Sequence, residues 1–187
     1  MKNEENIVKG VAAGVAGGLV ASIVMNQFQN ALSKLMSGEQ RSHGAQSQQP
    51  GSPDHGIGQA LEERGSDEPD DNAAVRAGNA ISELVFDQKL TKSEKETAGT
   101  VAHYAMGAAS GAIYGAFTEL APGVSIGEGV PFGAAVWLIA DEAIVPAIGL
   151  SRSAKDYPLS THAYALASHL VYGLTTELVR KAVRKAL

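Results

Sequence analysis

Six ionisable side chains in the apolar second half of the chain have the chemistry to carry protons, bind a ligand or pair with one another. They are His103, Asp141, Glu142, His162, His169 and Glu177. Histidine can gain or lose a proton near neutral pH, and a carboxylate can pass that proton on. Within apolar helices such groups are rare, usually paired and turned inward, and functional by default. These six residues therefore form the candidate site.

Three kinds of site fit this set of side chains. In a structural site, Asp141 pairs with His169, or Glu142 with His103, and the hydrogen bonds fix the helix register. In a proton or ion path, the same groups relay charge across a membrane. In a cofactor site, His103, His169 and Asp141 bind a divalent metal, a redox group or a pigment. We predict the structural site and no bound cofactor, and metal binding stays open at this stage.

Hydrolytic chemistry has less support in the sequence. The zinc-protease signature His-Glu-x-x-His is absent. Ser110 and Ser168 lack the Gly-x-Ser-x-Gly context of a nucleophilic serine, and serines in rows of small residues commonly serve packing. Glu177 lies close to Arg180 in the sequence, so we expect an ion pair there at the membrane boundary. An enzyme is not indicated.

Four apolar segments must position these groups, at approximately residues 7–28, 98–120, 131–149 and 160–180. A membrane-spanning helix needs about 20 mostly apolar residues, which each segment supplies. Thr91 and Glu94 fit a capping box that starts the second of these helices, and Pro131 suits the first turn of the third. We predict an all-α fold, a four-helix transmembrane bundle forming one integral membrane domain over residues 1–187.

Small residues recur at every fourth position in the first two segments, which would place them in one seam along each helix. An interior glycine costs about 1 kcal/mol relative to alanine in a helix. In a bilayer, small residues let helix backbones approach closely. We expect the two seams to face each other, with His103 in or beside the contact. The seam residues are Gly10, Gly14, Gly18 and Ser22 in the first helix and Gly99, Gly107, Gly111 and Gly115 in the second.

A polar segment separates the first two apolar runs. Residues 37–71 are rich in Gln, Ser, Gly, Pro and acids, which predicts a long polar loop. His43 and His55 within it have no regular ligand spacing, and we interpret them as surface residues. Residues 72–88 predict an amphipathic helix. Its predicted apolar face consists of Val75, Ile81, Leu84 and Val85. That helix could lie on a membrane surface or pack on a partner.

Composition excludes some classes of function. The 187 residues carry a net charge of −5 without a basic stripe, which argues against nucleic-acid binding. Cysteine is absent, so disulfides, thiolate metal sites and thiol nucleophiles are excluded.

A soluble helical bundle is a further alternative for the fold. A signal peptide is a weaker alternative for the first apolar run, because its leading residues have as many acids as bases and no Ala-x-Ala site follows.

An even number of spans puts both chain termini on one side of the membrane. Basic residues cluster at the C-terminus, and Lys2 and Lys9 lie at the front of the first helix, so the positive-inside rule predicts cytoplasmic termini. The expected partners are the lipid bilayer, further copies in a homo-oligomer, or a larger membrane complex. The C-terminal basic residues are Arg180, Lys181, Arg184 and Lys185.

The C-terminal half, roughly residues 99–184, resembles the YagU-like bacterial inner-membrane proteins. The resemblance lies in Pro131-Phe-Gly133, in Pro146-Ala-Ile-Gly149-Leu150 and in His169-Leu-Val-Tyr-Gly173, followed by Glu177 and the basic tail. It implies a bacterial inner-membrane location and no particular reaction. Many of these proteins have a histidine five residues before the proline of the third helix, where this chain has Asp141.

The sequence therefore predicts a structural or accessory membrane protein packed through small-residue seams. The alternative is a small proton- or ion-coupled transporter or channel that uses the buried His, Asp and Glu residues. A conducting path should align polar side chains through the full membrane depth. The first two helices offer mainly Gly, Ala and Ser, which favours the structural role.

Overall fold

The computed structural model describes residues 2–35, 56–68 and 71–187, and this part of the chain is helical, without a β-strand. The all-α prediction is therefore confirmed. One helix, Val130–Ala147, has a π-helical middle over Trp137–Ile144. Short 3-10 turns lie at Pro122–Ser125 and Ala154–Asp156. The helices of the described residues are α1 (Lys2–Leu35), α2 (Gly56–Glu63), α3 (Ala73–Phe86), α4 (Lys92–Leu120), α5 (Val130–Ala147) and α6 (Leu159–Ala186).

Two helix starts follow from local capping. The backbone N–H of Thr91 donates to Glu94 Oε2 at 2.8 Å and its hydroxyl at 2.6 Å, so the predicted capping box starts α4. The side chain of Asn72 accepts a hydrogen bond from the Val75 N–H at 3.0 Å and caps α3. These short-range bonds satisfy backbone donors that have no partner inside the helix. The sequence therefore predicts both starts well.

The prediction of a polar loop over residues 37–71 is wrong for its second half. Residues 56–63 form α2, and Ile57 packs partly buried against Ala73, Val145 and Leu150. The Ile57 N–H donates to the Ile148 carbonyl at 3.1 Å. A few apolar anchors thus order a segment whose composition is polar. The rest of the predicted loop, with His43 and His55, lies outside the described residues.

The chain divides into two compact units. The first contains residues 1–35, 104–136 and 166–187, and the second contains residues 36–103 and 137–165. Helices α4, α5 and α6 each contribute residues to both units. Among the predicted site residues, His103, Asp141, Glu142 and His162 belong to the second unit. His169 and Glu177 belong to the first.

Within the first unit, α1 and α4 pack antiparallel through glycines. A β-carbon built on most of these glycines would overlap the backbone of the facing helix, and one built on Gly107 would overlap the Ser22 side chain, so the two backbones are in close contact. Pairing advances four residues at a time, which keeps each contact on one side of each helix. Gly99 instead lies against Val75 in the second unit. The facing pairs are Gly10 with Gly115, Gly14 with Gly111, and Gly18 with Gly107.

Two helices of the described residues are long and apolar enough to cross a membrane. They are Glu4–Leu35 and Val130–Ala147, with mean hydropathies of 1.9 and 1.4. Glycine, serine, threonine and histidine lower the hydropathy of α4 and α6. The two apolar helices favour membrane association.

Candidate functional site

The π-helical middle of α5 carries two of the predicted acidic residues, Asp141 and Glu142. Pro146 follows within the same helix; its ring has no N–H and would clash with the carbonyl four residues earlier in a regular α-helix. Wider π turns relieve such a clash, and single π segments inside α-helices are frequent at functional sites. The segment is therefore the leading candidate site.

Glu142 pairs with His162 at the start of α6. The distance between His162 Nδ1 and Glu142 Oε1 is 2.7 Å, and the two side chains are 21% and 13% exposed, respectively. A contact of this length is a hydrogen bond that becomes an ion pair when the imidazole is protonated. The sequence singled out both residues but did not pair them with each other. The bond ties the π segment to the first turns of α6.

Asp141 is more deeply buried than Glu142, with 2% of its surface exposed. His103 is half-buried on α4 and belongs to the same unit. The pairing of Glu142 with His103 stays a prediction. So does the pairing of Asp141 with His169, since these two residues belong to different units.

The other two predicted residues lie on α6 in the first unit. His169 is 6% exposed, and its backbone carbonyl lies against Gly133 of α5, where a β-carbon would overlap it. Glu177 is fully buried and accepts two hydrogen bonds from Arg180, of 2.6 and 2.9 Å. The expected ion pair between Glu177 and Arg180 is thus present.

A network of charges extends from Glu177 along the last turns of α6. The Lys181 ammonium is 3.4 Å from Glu177 and 2.7 Å from Glu128, in the connection before α5. The Arg180 guanidinium lies 5.9 Å from the ring centroid of Tyr114, a cation–π distance. Tyr114 also stacks on Phe132, with centroids 4.2 Å apart. The arrangement compensates a buried carboxylate and fixes the end of α6; it leaves the carboxylate no face for a substrate.

Sequence reasoning missed a second buried polar cluster, in the second unit. The Arg76 and Asp67 side chains have no exposed surface, and Arg76 Nε lies 3.5 Å from Asp67 Oδ2. The Asn79 amide donates to the Ser66 carbonyl at 2.9 Å and to Asp67 at 2.8 Å. Burial raises the pKa of Asp67, and the Asn79 hydrogen bond and the charge of Arg76 oppose that shift. The cluster holds α3 against the segment that precedes it.

One signal in the sequence could have indicated this cluster. Arg76 and Asn79 are three residues apart, so they share one face of α3. Acidic residues 67 and 71 lie shortly before that helix, and Asp71 accepts a 2.8 Å bond from Lys95. The apolar periodicity of α3 marks the opposite side of the helix, so it gives no indication of this cluster.

Metal binding has no support from the geometry of the described residues. Across residues 2–35, 56–68 and 71–187, no group of three or more His, Cys, Asp or Glu side chains is placed to hold a metal ion.

Ser110 donates to the Met106 carbonyl of its own helix at 2.8 Å. This is the backbone bonding of a serine in a helix. It does not activate a nucleophile.

One comparison with known proteins gives a match. The family model of DUF1440, described as a protein of unknown function, matches residues 62–178, well over half of the chain. No curated protein and no solved structure matches the chain. The matched region includes α3, α4 and the π segment, and it begins well before residue 99. The resemblance to YagU-like proteins stays a prediction.

Proposed function

The chain belongs to the DUF1440 family, and from that premise we propose that it is an integral membrane protein with a structural or accessory role in a membrane assembly. The family supplies no reaction, so the proposal depends on where the side chains lie. The proposal concerns two things: the location of the protein in a membrane, and its structural or accessory role there.

The inverted polarity of the first unit carries the proposal. Its buried side chains are mostly small or polar, while large apolar side chains point outward. Soluble proteins bury their large apolar side chains and seldom expose them contiguously. In a bilayer, lipid solvates the apolar exterior and small residues pack inside. Buried members include Ala13, Ala21, Ser22, Ser168, Thr176 and Glu177; exposed members include Leu19, Val20, Ile23, Val24, Met106, Ile113, Phe117, Leu174 and Leu178.

We extend the proposal to four spans, adding α4 and α6 to the two more apolar helices. Residues 97–118 of α4 and 159–176 of α6 contain no Asp, Glu, Lys or Arg. Each run is close to the 20 residues or so that a hydrocarbon core requires. Both helices present large apolar side chains outward, such as Ile113 at 58% and Leu178 at 54% exposure. Glycine in α4, and serine, threonine and histidine in both helices, lower the mean hydropathy without adding a carboxylate or an ammonium group.

Contacts near the chain termini support an arrangement with both termini on one side. Arg184, near the end of α6, donates to Glu119 at the end of α4 with distances of 2.7 and 3.2 Å. It also donates to Asn6 at the start of α1 at 3.0 Å. The basic residues of this end favour the cytoplasm by the positive-inside rule. We propose a bacterial inner-membrane protein with cytoplasmic termini.

Hydrogen bonding in the first unit favours a structural role over conduction. Buried hydroxyls bond to backbone carbonyls: Thr176 to Tyr172 at 2.8 Å and Ser22 to Gly18 at 3.0 Å. The Tyr172 hydroxyl donates across helices to the Gly107 carbonyl at 2.6 Å. A hydroxyl committed to a backbone carbonyl fixes helices and is not available to relay a proton. These groups act as ties between and within helices.

The location is tested by fractionating cells that express the chain. We expect it to stay in the membrane pellet after washes with high salt and alkaline carbonate, and to dissolve only in detergent. Alkaline carbonate removes peripheral proteins but leaves lipid-embedded helices in place. A chain that appears in the wash supernatant is a soluble or peripheral protein, and the proposal fails.

One observation favours a second function, a proton- or ion-coupled transporter. Glu142 and His162 are a titratable pair on a π-helical segment, which is a common setting for functional groups. Purified protein in liposomes with an imposed pH gradient separates the two roles. The structural role predicts proton flux equal to that of empty liposomes. Flux abolished by Glu142→Gln but kept by Glu128→Gln, with unchanged circular dichroism, would establish transport instead.

A further inference from the structure

The polarity of α3 is inverted in the same way as that of the first unit. Its outer face, defined here as Ile81, Leu84 and Val85, is 55%, 71% and 66% exposed, respectively. Its inner face carries Arg76, Asn79 and Ser82, all of them buried. Three adjacent large apolar side chains in water would be unfavourable, by about 25 cal/mol for each Å² of apolar surface. The outer face needs an apolar contact.

Polar bonds prevent α3 from turning this face inward. The ion pair of Arg76 with Asp67 and the two bonds of Asn79 all lie on the opposite side of the helix. Rotating the helix would leave Asp67 as a buried charge without compensation, which costs several kcal/mol. The outer face is therefore held outward.

The depth of α3 relative to a bilayer follows from its packing on α4 within the second unit. A β-carbon on Gly78 would lie 2.7 Å from the Ala98 carbonyl carbon, and one on Gly99 would lie 2.8 Å from a Val75 methyl. These contacts run antiparallel and hold α3 along the first turns of α4. Five residues, 87–91, join the two helices.

The length of α4 sets the depth of those first turns. Helix α4 has 29 residues, and at about 1.5 Å per residue it is roughly 44 Å long. The hydrocarbon core is about 30 Å thick, and the bilayer with its headgroups is about 40–45 Å thick. If α4 spans, as the proposed function holds, its first turns lie in the headgroup layer. The helix that packs on them lies at the same depth.

We infer that the outer face of α3 is a lipid-binding surface that lies in the headgroup and upper acyl region of the bilayer. This inference rests on the proposed function. Amphipathic helices at this boundary insert an apolar face and leave their polar side toward water or protein. Lys89 and Lys92 next to the apolar end are exposed, but Glu94 and Glu96 follow on α4 and are exposed as well. Apolar contact, rather than charge, therefore provides the attraction.

The absence of cysteine from the sequence makes the test direct. Single-cysteine variants Leu84→Cys and Val85→Cys are labelled with the environment-sensitive fluorophore NBD and reconstituted in phosphatidylcholine nanodiscs. Two control sites are Ile113→Cys, exposed on α4, and Gln59→Cys, exposed on α2. Emission is recorded with a lipid carrying a doxyl quencher near its headgroup, with a lipid carrying it deep in the acyl chain, and with aqueous iodide.

We expect blue-shifted emission from the Leu84 and Val85 positions and quenching chiefly by the shallow doxyl lipid. The label at Ile113 should respond to the deeper quencher, and the label at Gln59 should respond to iodide. Iodide quenching at Leu84 equal to that at Gln59 would overturn the inferred lipid contact of α3. If the label at Ile113 is still quenched by the deeper doxyl lipid, the proposed function stands. Protection of Leu84 from both lipid and iodide would mean that protein covers the face, and would also overturn it. Failure at Ile113 would overturn the proposed function itself.

Discussion

Replacing Gly111 by leucine is expected to push α1 and α4 apart and to lower the free energy of unfolding strongly. A β-carbon at this position would lie 2.9 Å from Gly18 Cα and would overlap the Gly14 carbonyl. The neighbour is backbone and cannot swing away as a flexible side chain would. Overpacking of this kind costs 1–3 kcal/mol or more, and we expect about 3 kcal/mol or more here. The free energy of unfolding is measured by SDS titration in mixed micelles.

Two matched variants make the glycine result diagnostic. Ala109→Leu enlarges an exposed side chain on the same helix, and we expect a change within about 0.5 kcal/mol. Gly111→Ala should stabilise an isolated helix by about 1 kcal/mol through propensity alone. At a backbone contact the sign should reverse, so that alanine also destabilises. A stabilised Gly111→Ala variant would show that α1 and α4 do not pack through this glycine.

Replacing Glu177 by glutamine is expected to give the second large loss of stability. The substitution keeps the shape of the side chain but removes the charge that compensates Arg180, which is only 7% exposed. Removing one member of a buried ion pair typically costs about 3–5 kcal/mol, because the other charge stays buried without its partner. Lys181 also loses its 3.4 Å contact to Glu177. Unfolding in mixed micelles again measures the loss.

The control for this prediction uses the other carboxylate that contacts Lys181. Glu128 is 57% exposed, and an exposed pair contributes about 0–1 kcal/mol, so Glu128→Gln should change stability little. The double variant E177L/R180M removes both charges at once. It should recover much of the loss, since a buried ion pair and an apolar replacement are often similar in stability. Equal stability of Glu177→Gln and wild type would contradict a compensating role for Glu177.

The two substitutions probe different parts of the proposed role. Gly111 tests the close backbone contact between helices, and Glu177 tests the charge network at one end of the first unit. Gly111 lies against the backbone of α1, and Glu177 is fully buried beside Arg180. Loss of stability in both variants would support the proposed structural role.

The sequence predicts much of the secondary structure because its signals are local. Capping at Thr91 and Glu94 involves residues three apart, and the observed α4 starts and ends where the pattern puts it. Pro146 lies two residues after the π-helical segment of α5, and the sequence did not predict the π geometry. The sequence did not predict α2, because Val145 and Leu150, against which Ile57 of α2 packs, lie far along the chain.

The sequence selects the candidate residues by type, and of the pairs that it predicts, the structure contains that of Glu177 with Arg180. All six ionisable residues were singled out because charged groups are costly in apolar helices. The partner of Glu142 proved to be His162. Pairing depends on how helices rotate and slide against each other, and the π segment shifts the register of α5. The cluster of Asp67 and Arg76 was missed because a polar segment offers no contrast against which a buried charge can be noticed.

By itself, the sequence determined most of the helices and the rows of small residues, which follow from local periodicity, and the set of ionisable side chains, which follows from residue type. The tertiary structure decided which groups meet and which face of each helix points inward. On α3 the periodicity marks an apolar side, but only packing against Asp67 and α4 turns that side outward. The physical reason is that periodicity shows how a helix is divided into faces, whereas the direction of each face depends on the contacts and solvent around it.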